Sequence, residues 1–273
     1  MIKCSDWPIS VCTWSLGNDF DKISVLREQT QLSHIHFSVS PVFGENGKNY
    51  LSRVQKENWN ISATMIDFPQ EDYSTLESIK ATGGVVPDQY WENNRKRFFN
   101  AIDITAELGV KYLSFHFGFL DLPDADRAKK LYDRAQILAD KAGQKNIQLL
   151  METGQEGACE LRHFLEELEH LALGVNFDPA NMLLYDKGNP IEAVDILAPW
   201  IKHIHIKDAL RTQRPGTWGR EVVWGTGQVG DVEFLRALKQ INFGGALAIE
   251  REAGDNRLGD IKTAVEALVG FAG

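Results

Sequence analysis

Short apolar runs alternate with longer amphipathic stretches along the whole chain. Eight runs rich in β-branched and aromatic residues read as strands: 9–14 (ISVCTW), 34–39 (HIHFSV), 60–65 (NISATM), 111–117 (KYLSFHF), 147–152 (IQLLME), 173–178 (LGVNFD), 201–206 (IKHIHI) and 245–250 (GALAIE). Stretches of helical period follow them at about 20–32, 47–58, 88–108, 123–143, 157–170, 190–199, 231–240 and 260–270. Pro190 before IEAVDIL and Asp231 before VEFLRALKQI suit helix starts, where the first N–H groups lack partners and negative charge is favoured. Eight β-then-α units predict a closed (β/α)8 barrel, an α/β fold, over the single domain 1–273. An open dinucleotide-binding sheet would want GxGxxG after its first strand, and Trp14-Ser15-Leu16-Gly17 lacks it.

Strand parity adds a direction. One set of alternating positions is apolar (Phe115, Phe117, Leu149, Met151, Val175, Phe177, Leu247, Ile249) and should face the helices. The other set is polar or small: Ser114 and His116, Gln148 and Glu152, Asn176 and Asp178, His203 and His205, Ala246 and Ala248, then Glu250. These positions should face the barrel interior. Their polar members gather at the C-terminal ends of the strands, where barrel enzymes keep their chemistry.

Composition narrows the reading. Lys and Arg number 29 against 38 Asp and Glu, a formal charge of −9, which opposes a phosphate-backbone partner. Cys4, Cys12 and Cys159 follow no metal-finger spacing and fit a reducing compartment. The first residues lack a signal-peptide core, and no run reaches the ~18–20 apolar residues of a membrane span. The expectation is a cytoplasmic protein with no membrane or nucleic-acid partner, with self-association left open.

Glu152, Asp178, His205 and Glu250 stand at the C-terminal ends of the last four strand runs on the inward parity. Three carboxylates and an imidazole at one barrel mouth repel one another unless a cation lies between them. An oxygen-rich set with one nitrogen suits Mn²⁺, Mg²⁺, Co²⁺ or Zn²⁺.

LLMETG, VNFDPANM, HIHIKD and LAIERE, with GTGQVGDVEFL before the last helix, resemble the metal motifs of the xylose-isomerase-like TIM-barrel superfamily. That group spans sugar phosphate isomerases and epimerases, ketose 3-epimerases, inosose dehydratase and endonuclease IV. The resemblance implies Glu152, Asp178, His205 and Glu250 as ligands of one divalent ion, Mn²⁺ first, with Glu152 and Glu250 also acting as acid/base pair. It selects His205 over His203, since the ligand precedes Ile-Lys-Asp; His203 and Asp208 then stand behind the ligands. It places His116 near a carbohydrate substrate and aligns Arg211 with a substrate-binding arginine; Lys207, directly after the histidine motif, is positioned either to polarise substrate oxygens or to pair with Asp208. Asn181 stands where ketose epimerases carry a histidine, and Ala158 where they carry a glutamate, with Glu156 nearby. The substrate set is therefore altered, with Asn181 still expected at the substrate.

Trp14, Trp91, Phe119, Trp218 and Trp224 fall near loops, and only Trp14 has the inward parity for sugar stacking. Segment 211–228, with Arg211, Arg214 and Arg220 after the seventh strand, lies where barrels often bind phosphate. Segment 66–90, with Gly83-Gly84, is a long connection suited to a lid or a subunit contact.

The implied activity is a metal-dependent sugar or sugar phosphate isomerase or epimerase, working through a metal-stabilised enediolate. The alternative is a dehydratase that expels a β-hydroxyl from the same intermediate. Phosphodiester cleavage and a non-catalytic sugar-binding barrel are the remote alternatives.

Overall fold

The computed structural model describes residues 2–271. Met1 and residues 272–273, the ends of the expected domain, lie outside the described residues. A two-residue strand, β1 (Lys3–Cys4), pairs antiparallel with β2 (Trp7–Cys12). The barrel is formed by β2 with β3 (His34–Ser38), β4 (Asn60–Ile66), β5 (Tyr112–Phe115), β6 (Gln148–Glu152), β7 (Leu173–Phe177), β8 (Ile201–Ile206) and β11 (Ala246–Ile249). Each pairs in parallel with the next, and β11 closes on β2 through Ala248↔Ser10.

The eight expected helices are α1 (Phe20–Thr30), α2 (Gly47–Lys56), α4 (Trp91–Glu107), α5 (Ala125–Gly143), α6 (Ala158–Leu168), α8 (Pro190–Leu197), α9 (Asp231–Gln240) and α10 (Arg257–Val269). Asp19, Asp124 and Asn189 cap α1, α5 and α8 by accepting first-turn N–H groups. Two short helices were not foreseen: α3 (Leu76–Thr82) within the 66–90 connection, and α7 (Pro179–Leu184) directly after Asp178. A hairpin of β9 (Asp208–Leu210) and β10 (Arg220–Val222) rises from the seventh connection. No helix among the described residues is long and apolar enough to cross a membrane.

The apolar parity faces the helices. Phe115 packs edge-on against Phe98 of α4 at 4.7 Å between centroids, Phe117 against Phe164 of α6 at 5.3 Å, and Phe177 against Phe234 of α9 at 5.9 Å. All are buried, and truncating any one to alanine should cost about 3–5 kcal/mol. The polar parity points inward, and below the barrel mouth its groups bond to one another. Ser62 Oγ lies 3.1 Å from both Ser10 Oγ and His203 Nε2, and Ser114 Oγ lies 2.9 Å from His36 Nε2. A register shift between β3 and β4 breaks the period of two. As a result Ser62 and Met65, three residues apart, both reach interior partners.

Candidate metal centre and its cavity

Glu152 is the last residue of β6, Asp178 follows β7, His205 lies near the end of β8, and Glu250 follows β11. Their ligand atoms all lie within 4.8 Å of one another and all four residues are buried. His205 Nδ1 is 3.4 Å from Glu152 Oε1, 3.4 Å from Glu250 Oε2 and 3.6 Å from Asp178 Oδ2. Asp178 divides its two oxygens. Oδ1 caps α7 by accepting the Asn181 N–H at 2.9 Å, while Oδ2 is buried without a hydrogen-bond partner. His205 Nδ1 is likewise buried and unpartnered.

Two ligand atoms each about 2.1 Å from one ion stand roughly 3.0–3.5 Å apart, so this spacing fits a single divalent cation. Two orphaned buried atoms among four convergent donors are what such an ion would satisfy. The residues present fit the group.

Charge within the quartet is offset by His205 and by two cationic neighbours outside it, His116 and Lys207. Burial favours a neutral His205 ring, but the Glu250 and Glu152 carboxylates outweigh it and hold its pKa well above the usual value. Burial likewise opposes ionisation of Glu152, yet His205 and His116 keep its pKa well below the usual range. For Glu250, Lys207 and His205 do the same. Burial raises Asp178, only partly offset by Lys207.

A layer of ring nitrogens supports the quartet. Burial, then the charges of His203 and His205, keep His36 neutral, and His203 is pushed down to about 3 for similar reasons. His36 Nε2 faces the Thr64 carbonyl at 3.2 Å, an acceptor only, so that nitrogen carries the hydrogen. Its Nδ1 then accepts from His205 Nε2 at 3.1 Å, which leaves His205 Nδ1 free toward the carboxylates. His203 Nδ1 donates to Asn176 Oδ1 at 2.9 Å, and Asn176 Nδ2 reaches Glu152 Oε2 at 3.4 Å. His203 therefore reaches Glu152 through Asn176 and does not enter the quartet itself.

Glu152 and Glu250 line one end of a cavity of about 470 Å³, with Asp178 and His205 buried behind them. Asn181 Nδ2 donates to Glu152 Oε1 at 3.0 Å, and the Trp14 indole donates to Glu250 Oε1 at 2.6 Å. Lys207 Nζ donates to Glu250 and Glu252 at 2.8 Å each and lies 3.7 Å from Asp178. His116 presents Nε2 3.7 Å from Glu152 Oε1, while its Nδ1 lies 3.2 Å from Glu71 Oε1 and 2.9 Å from the Tyr73 hydroxyl. Glu71 is fixed in turn by the Gly84 and Phe68 N–H groups at 2.9 and 3.0 Å. Segment 66–90 is thus a wall of this cavity, carrying Glu71 and Tyr73 into it.

Two residues go elsewhere. Arg211 does not line this cavity; its guanidinium pairs with Asp186 and the Gly188 carbonyl beside a separate surface cleft. Asp208 accepts the N–H groups of Ala209, Gly225, Gly227 and Val229, and so ties down the loop before α9. The sequence reading overlooked His36, Glu71, Tyr73, Glu221 and Glu252. His36 shares the interior with His203 and its place in HIHFSV was a usable signal; the others sit on loops without periodicity.

The xylose isomerase-like TIM barrel family matches residues 40–270. The uncharacterized protein YihM of Escherichia coli K12 is 38% identical over 82 residues, 30% of this chain and 24% of that protein's length. A xylose isomerase domain protein from Planctomyces limnophilus superposes with a TM-score of 0.86 at 28% identity, covering 97% of this chain and 96% of that one. A xylose isomerase-like TIM barrel protein from Mycobacterium smegmatis, in complex with magnesium, reaches 0.73 at 18% identity over 98% and 97%. A D-allulose 3-epimerase from Methylomonas sp. shares the fold at 0.68 and 15% identity over 98% and 100%.

Proposed function

The chain belongs to the xylose isomerase-like TIM barrel family, and from that premise we propose that it is a divalent-metal-dependent isomerase or epimerase of a keto-sugar. The observation that carries the reading is the buried quartet Glu152, Asp178, His205 and Glu250, with two orphaned ligand atoms, two of whose carboxylates line a cavity of about 470 Å³. The reading takes the chain as one domain, since its apolar core runs without a break from Cys4 to Leu268.

The four residues would hold Mn²⁺ or a similar ion, which when bound supplies Lewis acidity to a carbonyl oxygen and its neighbouring hydroxyl. The rest falls to the chain itself. Glu152 and Glu250 come from β6 and β11, and both are held ionised, the state required to take a proton from carbon. Asn181 donates to Glu152, and Trp14 and Lys207 donate to Glu250, so each carboxylate is fixed in orientation before substrate arrives. Lys207 is the cation nearest Glu250 and serves a substrate oxygen as well.

Dehydration is a second reading, favoured by the Glu71–His116 pair. A histidine oriented by a buried carboxylate, with Nε2 facing the cavity, is suited to protonating a leaving hydroxyl. Product mass separates the two, since isomerisation conserves it and dehydration removes one water.

The test is metal content after Mn²⁺ loading and desalting, for wild type beside Glu152→Ala and His205→Ala, followed by mass analysis of keto-sugar products. About one ion per wild-type chain, lost in both variants, supports the reading. A wild type that retains no ion under saturating Mn²⁺ defeats it.

A further inference from the structure

The walls of the cavity differ from its metal end in a way that bears on the substrate. Six lining residues are acidic, Asp67, Glu71, Glu152, Glu221, Glu250 and Glu252, and the only lysine or arginine among the described lining residues is Lys207. That ammonium is already held by Glu250 and Glu252. The arginines of the seventh connection are not in the wall: Arg211 pairs with Asp186, and Arg214 and Arg220 are exposed. Arg251 is tied to Glu221 and Asp260 at 2.5 and 2.9 Å. A phosphate dianion entering here would face carboxylates with no free guanidinium to receive it.

The wall away from the quartet is instead aromatic. Tyr185 meets Trp218 edge-on at 4.7 Å between centroids, and Tyr73 lies 6.5 Å from Trp218. Leu184 completes this surface. Trp218 Nε1 is buried without a hydrogen-bond partner, a donor that a ligand oxygen would satisfy. The volume of about 470 Å³ lies within the range of roughly 300–1,000 Å³ typical of pockets that take drug-sized ligands.

Resting on the keto-sugar reading above, we infer that the substrate is an unphosphorylated keto-glycoside, whose aglycone or second ring packs on Tyr73, Tyr185 and Trp218. The sugar carbonyl faces the quartet and the apolar substituent faces the aromatic wall. Trp218 is then a specificity residue: it selects what the sugar carries, while Glu152 and Glu250 act on the sugar itself.

The experiment is calorimetric titration of Mn²⁺-loaded protein with three probes: the methyl and phenyl glycosides of one keto-hexopyranose, and the 6-phosphate of the methyl glycoside. The phenyl glycoside should bind at least tenfold tighter than the methyl, and the phosphate at least tenfold weaker. Trp218→Ala should erase the phenyl preference and Trp218→Phe should restore part of it, with metal content unchanged in both. A phosphate ester binding as tightly as the methyl glycoside, or equal affinity for phenyl and methyl, overturns the inference and leaves the metal-dependent reading standing. Binding in the expected order without turnover supports the inference and counts against the catalytic reading. No binding of any probe overturns both.

Discussion

His36 Nδ1 lies 3.1 Å from Nε2 of His205, so one histidine ring sets the hydrogen position of another. Because the Thr64 carbonyl claims the Nε2–H of His36, His205 turns its Nε2–H to His36 and is left with Nδ1 facing Glu152, Asp178 and Glu250. Ligating histidines commonly have their second nitrogen anchored in this way, and loss of the anchor typically costs about 10–100-fold in metal affinity. His36→Phe, which keeps a ring but no acceptor, should weaken Mn²⁺ binding by that amount. His36→Gln should recover part of it. Chelator competition reads the affinity, and an unchanged Kd in His36→Phe would remove His36 from the metal site.

Metal binding should stabilise the fold, because an ion held by four strands is bound only by the native state. At a free concentration about 100 times Kd, the gain is about 2.7 kcal/mol. For a chain of this length that corresponds to roughly 5–10 °C in Tm. Thermal unfolding with and without Mn²⁺ should show this shift in wild type and lose it in Asp178→Asn, which removes charge from the orphaned Oδ2 position.

Glu156, buried in the loop between β6 and α6, titrates late. Burial, and then the neighbouring Glu160 carboxylate, push its carboxyl up to about 8. Its unfolded value is about 4.3, so between those pH values the folded chain holds a proton that the unfolded chain has lost. Stability from this group is complete below about pH 4 and is lost as pH rises through about 8, by at most a few kcal/mol. Glu156→Gln should therefore gain melting temperature over wild type as pH is raised from 5 to 8. A difference that stays constant over that range would refute the protonated state.

Gly84 has a φ of +77°, and a Cβ there would stand 2.3 Å from the Gly118 nitrogen and 2.4 Å from the Phe117 carbonyl carbon. Its N–H also holds Glu71, the partner of His116. Gly84→Ala combines a left-handed backbone with a backbone clash, so a loss of about 2–4 kcal/mol is expected. Catalytic activity at temperatures where the variant remains folded should fall further than in Gly109→Ala, a positive-φ glycine with open space around it. Equal activity in the two would separate segment 66–90 from the reaction.

The architecture and the candidate metal quartet were legible in one dimension. Strand faces follow a period of two, so Glu152, Asp178, His205 and Glu250 could be placed inside and at one end from local pattern alone. The barrel then had only to close, and its register set their mutual distances. Parity also marked His116 and Trp14, whereas Asn181 and Lys207 were marked by their place in the motifs around Asp178 and His205.

What lay beyond reach depended on contacts between segments far apart in sequence. Glu71 enters the cavity because Gly84 and His116 bind it, and no periodicity marks a loop residue whose partners lie 13 and 45 positions away. Glu221 is delivered by β10 and fixed by Arg251, 30 positions on. Arg211 shows the converse. It has a suitable spacing after His205, yet the β9–β10 hairpin and Asp186 turn it toward a different cleft. Backbone periodicity is a local consequence of steric preference and solvent exposure. Loop placement is a sum of long-range hydrogen bonds and charges, and those are settled only when the chain has closed on itself.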